Sequence, residues 1–280
     1  MTQPIHTRIA IVGGGNMARA LLGGLLARGV DPERIAVADP EEATRASLAQ
    51  RYGINACAEN RAAVAGAQVV VLAVKPQIMA DVLRPLAAEL QLSRPLLISV
   101  AAGIRVAELS QWVGKGVPVV RAMPNRPALL GAGATGLYAA ADVGDAERAQ
   151  AGELLSATGI AVWVDSEEQL DVVTALSGSG PAYFFRLAEL MAEAAAGAGL
   201  DPAVAKQLAA QTLAGAGRLV SAETTPDLAA MRAAVTSKGG TTAAALAHFD
   251  GEGFARLVTG AMRAATERSR ELAAASAAGK

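Results

Sequence analysis

The chain changes rhythm partway along its length. From residue 8 to about 164, short apolar runs alternate with stretches that repeat apolar positions at helical spacing, and beyond about residue 165 only the helical spacing persists. "RIAIVG" (8–13), "IAVAD" (35–39), "VVVLAV" (69–74), "LLISVAA" (96–102) and "VPVVRAM" (117–123) predict strands. Several are apolar at consecutive positions, as in parallel sheets covered by helices on both faces. "MARALLGGLLARG" and "EEATRASLAQRYG" predict crossover helices ending at Gly29 and Gly53. An α/β fold with a Rossmann-type doubly wound sheet follows.

The second half predicts helices over 182–198, 202–220, 226–235, 241–249 and 253–275. Pro181 after Ser179 and Gly180, Pro202 after Asp201, and Pro226 after Thr225 each resemble a cap followed by a first-turn proline. The predicted division is a dinucleotide-binding domain over 1–165 and an all-helical domain over 166–280, with the tail "AAASAAGK" expected to fray.

Composition narrows the function. Apolar residues make up 52% of the chain and aromatics only 3%, so the core is built from small aliphatic side chains that each bury little area. A subunit interface would supply the missing burial, and an oligomer is expected. Lys and Arg number 25 against 26 for Asp and Glu, which gives no global field to draw in nucleic acid or an anionic membrane. Cys57 is the single cysteine, so no intrachain disulfide forms, and His6 and His248 have no cysteine cluster beside them, so no metal site is expected. "MTQPIHTR" holds no apolar core of signal-peptide length, and no apolar run is long enough to span a bilayer; a cytoplasmic protein is expected.

Two glycine-rich helix starts carry the candidate chemistry. "GGGNMA" follows the first strand in the form Gly-x-Gly-x-x-Ala: Gly13 permits the tight turn, Gly15 lets the backbone approach a pyrophosphate, and Ala18 keeps the helix close to the sheet. The second strand ends at Asp39, near the roughly 20-residue spacing at which dinucleotide folds place an acid for the ribose 2′-hydroxyl. A carboxylate there repels a 2′-phosphate, Glu41 and Glu42 add to the repulsion, and Arg45 offsets it, so the residues lean to NAD and leave NADP open. The other reading of Asp39 is a turn residue before Pro40. Lys75 in "AVKP" is either a cofactor contact or a solvated strand end, and "SVAAG" (99–103) lies at the corresponding edge.

The second start is "VTSKGGTTA" (235–243). The amides of Gly239, Gly240 and Thr241, with the hydroxyls of Ser237 and Thr242, can form a nest for a small carboxylate. The alternative is an ordinary capped turn between helices. "LSGSGPAYFF" (176–185) holds more serine and glycine than a cap needs, which suggests close backbone packing. No Ser/His/Asp or Cys/His set can be assembled, so the chemistry falls to a cofactor, and hydride transfer fits.

With "GGGNMA", "AVKP", "SVAAG", "RAMPN" (121–125), "GAGATGLYA" (131–139), "ALSGSGPAYFF" and "VTSKGGTTAAALAHFD", in that order over nearly the whole chain, the sequence resembles the Δ1-pyrroline-5-carboxylate reductases. The resemblance implies reduction of Δ1-pyrroline-5-carboxylate to L-proline with NADPH, the commoner cofactor of the family, or with NADH, which Asp39 leaves open. It implies a cofactor held by Val12, Gly13, Gly14, Gly15, Asn16 and Met17, by Asp39 and Asn60, by Ala73, Val74, Lys75 and Pro76, and by Val100, Ala101 and Ala102. For substrate it implies Glu167, Ser237, Gly239, Gly240, Thr241 and Thr242. We expect the nest to anchor the substrate carboxylate and the Thr242 hydroxyl to meet the ring nitrogen as the catalytic contact. The resemblance also implies a dimer with interlocked helical domains, assembled in some members into a ring of five dimers.

Three positions depart from the family pattern: Lys238 replaces proline, Arg126 replaces threonine in "MPNTP", and Asp39 replaces a small polar residue. Two rival readings are a β-hydroxyacid dehydrogenase, for whose interdomain lysine Lys206 is the nearest helical candidate although its neighbours do not fit, and a non-catalytic nucleotide-binding protein.

Overall fold

The computed structural model describes residues 7–278, and His6 lies outside them. In chain order the strands are β1 (Ile9–Val12), β2 (Ile35–Ala38), β3 (Asn55–Cys57), β4 (Val69–Leu72), β5 (Leu96–Ser99), β6 (Val119–Met123), β7 (Gly133–Ala139) and β8 (Gly159–Trp163). The helices are α1 (Asn16–Ala27), α2 (Glu42–Tyr52), α3 (Asn60–Val64), α4 (Met79–Leu83), α5 (Ala87–Ser93), α6 (Val106–Val113), α7 (Asp145–Ser156) and α8 (Gln169–Val173), then α9 (Gly180–Gly197), α10 (Pro202–Ala222), α11 (Leu228–Ala234), α12 (Thr241–Gly251) and α13 (Phe254–Ala278). Two compact units result: Met1–Ser179 with Ala265–Lys280, and Gly180–Ala264.

The first unit is built on one sheet in the order β3-β2-β1-β4-β5-β6-β7-β8. All neighbours run parallel except β6 and β7. The fully apolar strands β1 and β4 sit side by side at its centre, buried on both faces, with Val12 opposite Leu72. The order reverses between them, and in open α/β sheets this is where the carboxyl ends leave a ligand crevice. Leu21, Leu22 and Leu25 of α1 are buried against this core.

Five strands match the apolar runs, and three lie outside them. β3 has only three residues, β7 is rich in glycine and alanine, and β8 exposes Ile160 and Val162. Glycine is required where β7 packs: a Cβ on Gly136 would lie 2.7 Å from Val173 Cγ1. The fifth strand ends at Ser99, so Val100, Ala101 and Ala102 leave the sheet as a loop.

The helix start at α10 is as expected, and the other two depart from expectation. Asp201 caps α10, its Oδ1 accepting from the amides of Ala203 and Val204 at 2.9 and 3.1 Å. At α11 the cap is Asp227 rather than Thr225, with Oδ1 accepting from Ala229 and Ala230 at 3.0 and 3.1 Å. "LSGSGP" is not a capped start: Thr174–Gly178 form a π-helical turn, the Ser179 amide reaches the Thr174 carbonyl at 2.8 Å, and α9 follows directly. Pro181 has no N–H to give the Ser177 carbonyl four residues back. Asn125 Nδ2 donates to that carbonyl instead, at 3.0 Å, while Asn125 Oδ1 accepts from the Ala134 amide at 2.9 Å. At the other end α13 is helical through Ala278, Ala273 is buried and the Ser276 hydroxyl meets Glu108 Oε1 at 3.3 Å; Gly279 and Lys280 of the tail lie outside the described residues.

The second unit packs α9 against α10 and leaves much apolar surface exposed: Phe184, Phe185, Leu219 and Leu257 are each at least 60% accessible. Among its described residues only Gly180, Ala192 and Ala205 are buried.

Candidate active site

The first helix start has the geometry of an anion cradle. Gly13 has φ +100°, a conformation that disfavours side chains, and a Cβ on it would meet the Ala73 carbonyl oxygen at 2.7 Å. Its amide donates to Ala38 O, and that of Ala73 to Val12 O, each at 2.8 Å. These bonds lock the loop onto the ends of β2, β1 and β4. Gly15 differs: it is exposed, and nothing lies within 4 Å of the point where its Cβ would stand. No side chain caps α1, so its first-turn amides remain available to a ligand. Room for backbone approach and uncapped donors together fit a pyrophosphate.

The other expected cofactor residues lie along the same edge. Asp39 follows β2 and Asn60 opens α3 just beyond β3. Ala73, Val74 and the exposed Lys75 leave β4 before Pro76 begins a 3-10 turn. Val100, Ala101 and Ala102 leave β5, with the Val100 amide on Leu72 O at 3.2 Å and that of Ala101 on Ser99 Oγ at 3.4 Å. Val12 and Ala18 are buried, Asn16 is exposed, and Met17 packs on the core. The fold thus gathers residues from five strand ends that are dispersed in sequence.

The second helix start lies in the second unit. Gly239 turns the chain at φ +71°, and Gly240 leads into α12 without any side-chain cap. The Gly240 amide is spent on Ser237 O at 3.0 Å, which takes it out of the expected nest. The donors left to face a ligand are the amides of the first turn of α12, beginning at Thr241, with the Ser237 and Thr242 hydroxyls beside them. A Cβ on Gly240 would displace the Ser237 hydroxyl and stand 3.2 Å from the Ser237 carbonyl oxygen, so the turn is tight there. Thr242 is partly buried, whereas Ser237, Lys238, Gly239 and Thr241 are exposed.

Glu167 stands in an ionic network of the first unit. Its Oε1 accepts from Arg121 Nη1 and from the Val106 amide, both at 2.7 Å, and its backbone carbonyl accepts from Arg105 Nη1 at 3.2 Å. Arg105 Nη2 pairs with Asp171 Oδ2 at 2.6 Å, and Ser269 Oγ donates to Asp171 Oδ1 at 2.8 Å. Burial pulls the Arg121 guanidinium below its ordinary value, with Glu167 opposing that shift by hydrogen bond and charge. With Oε1 already shared, what Glu167 can offer a substrate is limited to its other oxygen. The available signal for this network was a charge inside an apolar strand, Arg121 in "VPVVRAM". Arg126 is exposed and opens a 3-10 turn. No group of three or more His, Cys, Asp or Glu side chains able to hold a metal occurs among the described residues.

Comparison with known proteins agrees along the chain. Residues 8–103 match the family described as NADP oxidoreductase, coenzyme F420-dependent, and residues 167–272 match pyrroline-5-carboxylate reductase dimerisation. The pyrroline-5-carboxylate reductase of Pseudomonas aeruginosa is 50% identical over 267 residues, covering 95% of this chain and 97% of the relative. A solved pyrroline-5-carboxylate reductase from Coxiella burnetii superimposes with a TM-score of 0.91 at 38% identity, covering 95% of this chain and 98% of that one. The pyrroline carboxylate reductase of Plasmodium falciparum, solved with NADP bound, gives 0.78 at 27% identity, with 96% and 99% covered. From its glycine loop to its last helix, the chain belongs to the pyrroline-5-carboxylate reductase family.

Proposed function

We infer that this protein reduces Δ1-pyrroline-5-carboxylate to L-proline with NADH or NADPH, the last step of proline biosynthesis. The observation that carries the reading is the pair of uncapped glycine-rich helix starts, one suited to a pyrophosphate and the other to a small carboxylate. The identity to curated reductases supports it.

A bound nicotinamide dinucleotide supplies a hydride. The chain's own part is to hold and orient. Val12 to Met17 cradle the pyrophosphate, Asp39 and Asn60 hold the adenosine end, and Ala73 to Pro76 with Val100 to Ala102 line the rest of the cofactor. The first-turn amides of α12 and the Ser237 hydroxyl anchor the substrate carboxylate, with Gly239 and Gly240 shaping the turn around Thr241. Thr242 Oγ1 accepts from the protonated ring N–H and fixes which face of the imine is presented. The protonated imine is already electrophilic, so no histidine or carboxylic acid is required to activate it. Glu167, held by its ion pair with Arg121, is a further substrate contact in this reading.

Residues 1–165 serve the dinucleotide, and residues 166–280 serve substrate and dimerisation. The match to a dimerisation family and the exposed apolar helices favour an oligomer, which we take to be a dimer with interlocked helical domains, able to stack into a ring of five. No helix among the described residues is long and apolar enough to cross a membrane. We place the protein in the cytoplasm, in keeping with its single cysteine.

Deuteride labelling tests the reaction itself. Cofactor deuterated at the transferring position of C4 should yield proline carrying deuterium on the former imine carbon. Unlabelled proline, or none, would contradict direct transfer.

A further inference from the structure

The carboxylate of Asp39 is held from two sides. Oδ2 accepts from the Gly14 amide at 2.8 Å, and Oδ1 accepts from the Glu41 amide at 2.9 Å. The first bond ties the acid at the end of β2 to the loop that enters α1. A ribose joined to a pyrophosphate seated on that loop must therefore lie beside this carboxylate.

Arg45 commits one guanidinium nitrogen to the turn itself. Arg45 Nη1 donates to the carbonyls of Asp39 and Pro40 at 2.9 and 2.8 Å, so the guanidinium closes the turn that carries Asp39. Glu41 and Glu42 are exposed on the same turn, and Thr44 Oγ1 holds Glu41 Oε2 at 2.7 Å. Behind Gly14 there is no slack: a Cβ there would stand 2.7 Å from Thr44 Cγ2 and 3.1 Å from Asp39 Oδ2. The acid is thus fixed where a ribose arrives, with further negative charge around it.

We propose that this chain selects a free ribose 2′-hydroxyl and takes NADH in preference to NADPH, with Asp39 as the selecting residue and Arg45 as the residue that positions it. The inference rests on the reading of the α1 cradle as a dinucleotide site. A 2′-hydroxyl donates to the carboxylate, whereas a 2′-phosphate brings roughly two negative charges against it. Arg45 acts through the Asp39 turn and serves both cofactors alike.

Quenching of tryptophan fluorescence during titration with NADH and NADPH tests this without any imine, as does the same titration with ADP-ribose and its 2′-phosphate. The wild-type protein should bind the 2′-phosphorylated ligands about tenfold or more weakly, equivalent to ~1.4 kcal/mol. Asp39→Asn should narrow that ratio and Asp39→Ser should narrow it further. Arg45→Ala should weaken both classes by a similar factor. The ratio guards against misfolding, because a damaged fold lowers both affinities together. Equal or tighter NADPH binding by the wild type would overturn the proposal, as would a ratio untouched by Asp39→Asn or an Arg45→Ala loss confined to the phosphorylated ligands. Binding of neither class would overturn it together with the cradle. Failure to reduce the imine while NADH binds preferentially would count against the enzymatic reading alone.

Discussion

Arg121 and Glu167 form an ion pair, Nη1 to Oε1 at 2.7 Å, that joins the charged position of β6 to the turn before α8. Their side chains are 6% and 17% exposed, so removing one partner leaves the other's charge poorly hydrated. Arg121→Met should cost about 3–5 kcal/mol in urea unfolding, while Arg121→Met with Glu167→Leu should recover part of that loss. A single variant as stable as the wild type would show that the pair contributes little.

Asn125 replaces the hydrogen bond that Pro181 cannot make. Asn125→Leu strips the donor from the Ser177 carbonyl and the acceptor from the Ala134 amide, and should cost roughly 1–3 kcal/mol for each group left unpaired. Asn125→Asp keeps only the acceptor and should fall between. Denaturant midpoints that do not follow this order would contradict the assignment.

Two glycines of one loop should separate folding from binding. Gly13→Ala meets the Ala73 backbone in a left-handed conformation and should lower Tm. Gly15→Ala meets no protein atom within 4 Å and should melt like the wild type, yet lose nucleotide affinity because the methyl enters the cradle. Undiminished nucleotide binding by Gly15→Ala would place the pyrophosphate elsewhere.

In the proposed mechanism, Thr242→Ala removes one hydrogen bond to a charged ring nitrogen. Its worth of about 1.5–3 kcal/mol corresponds to a fall in kcat/KM of roughly 10- to 150-fold, with nucleotide affinity unchanged. An unaltered kcat/KM would remove Thr242 from the mechanism.

The exposed aromatic face of α9 should be covered in solution. Phe185→Asp, at a position 64% exposed in the single chain, should shift sedimentation towards monomer and lower Tm. Unchanged sedimentation would place the subunit contact on another face.

The sequence revealed what depended on local pattern. β1 and β4 were legible because they are unbroken apolar runs, and the cradle because its glycines stand at fixed offsets after a strand. β7 and β8 were not, because one is built of glycine and alanine and the other exposes its apolar residues at a sheet edge. The π-helical turn has no composition of its own, and the partner of its Ser177 carbonyl, Asn125, lies 52 positions away. The ionic network joins residues 46, 66 and 98 positions apart, and no spacing rule reaches across such distances. At α12 the hydroxyls suggested a cap, and only the backbone geometry shows that none of them caps the helix.

The most direct test of the account is loss of near-ultraviolet absorbance from NADH and NADPH, in separate reactions, when the purified protein meets Δ1-pyrroline-5-carboxylate. The account predicts oxidation that depends on the imine and is faster with limiting NADH than with limiting NADPH. Binding of both cofactors without imine-dependent oxidation of either would contradict it, and would leave a nucleotide-binding protein whose α12 turn anchors no substrate.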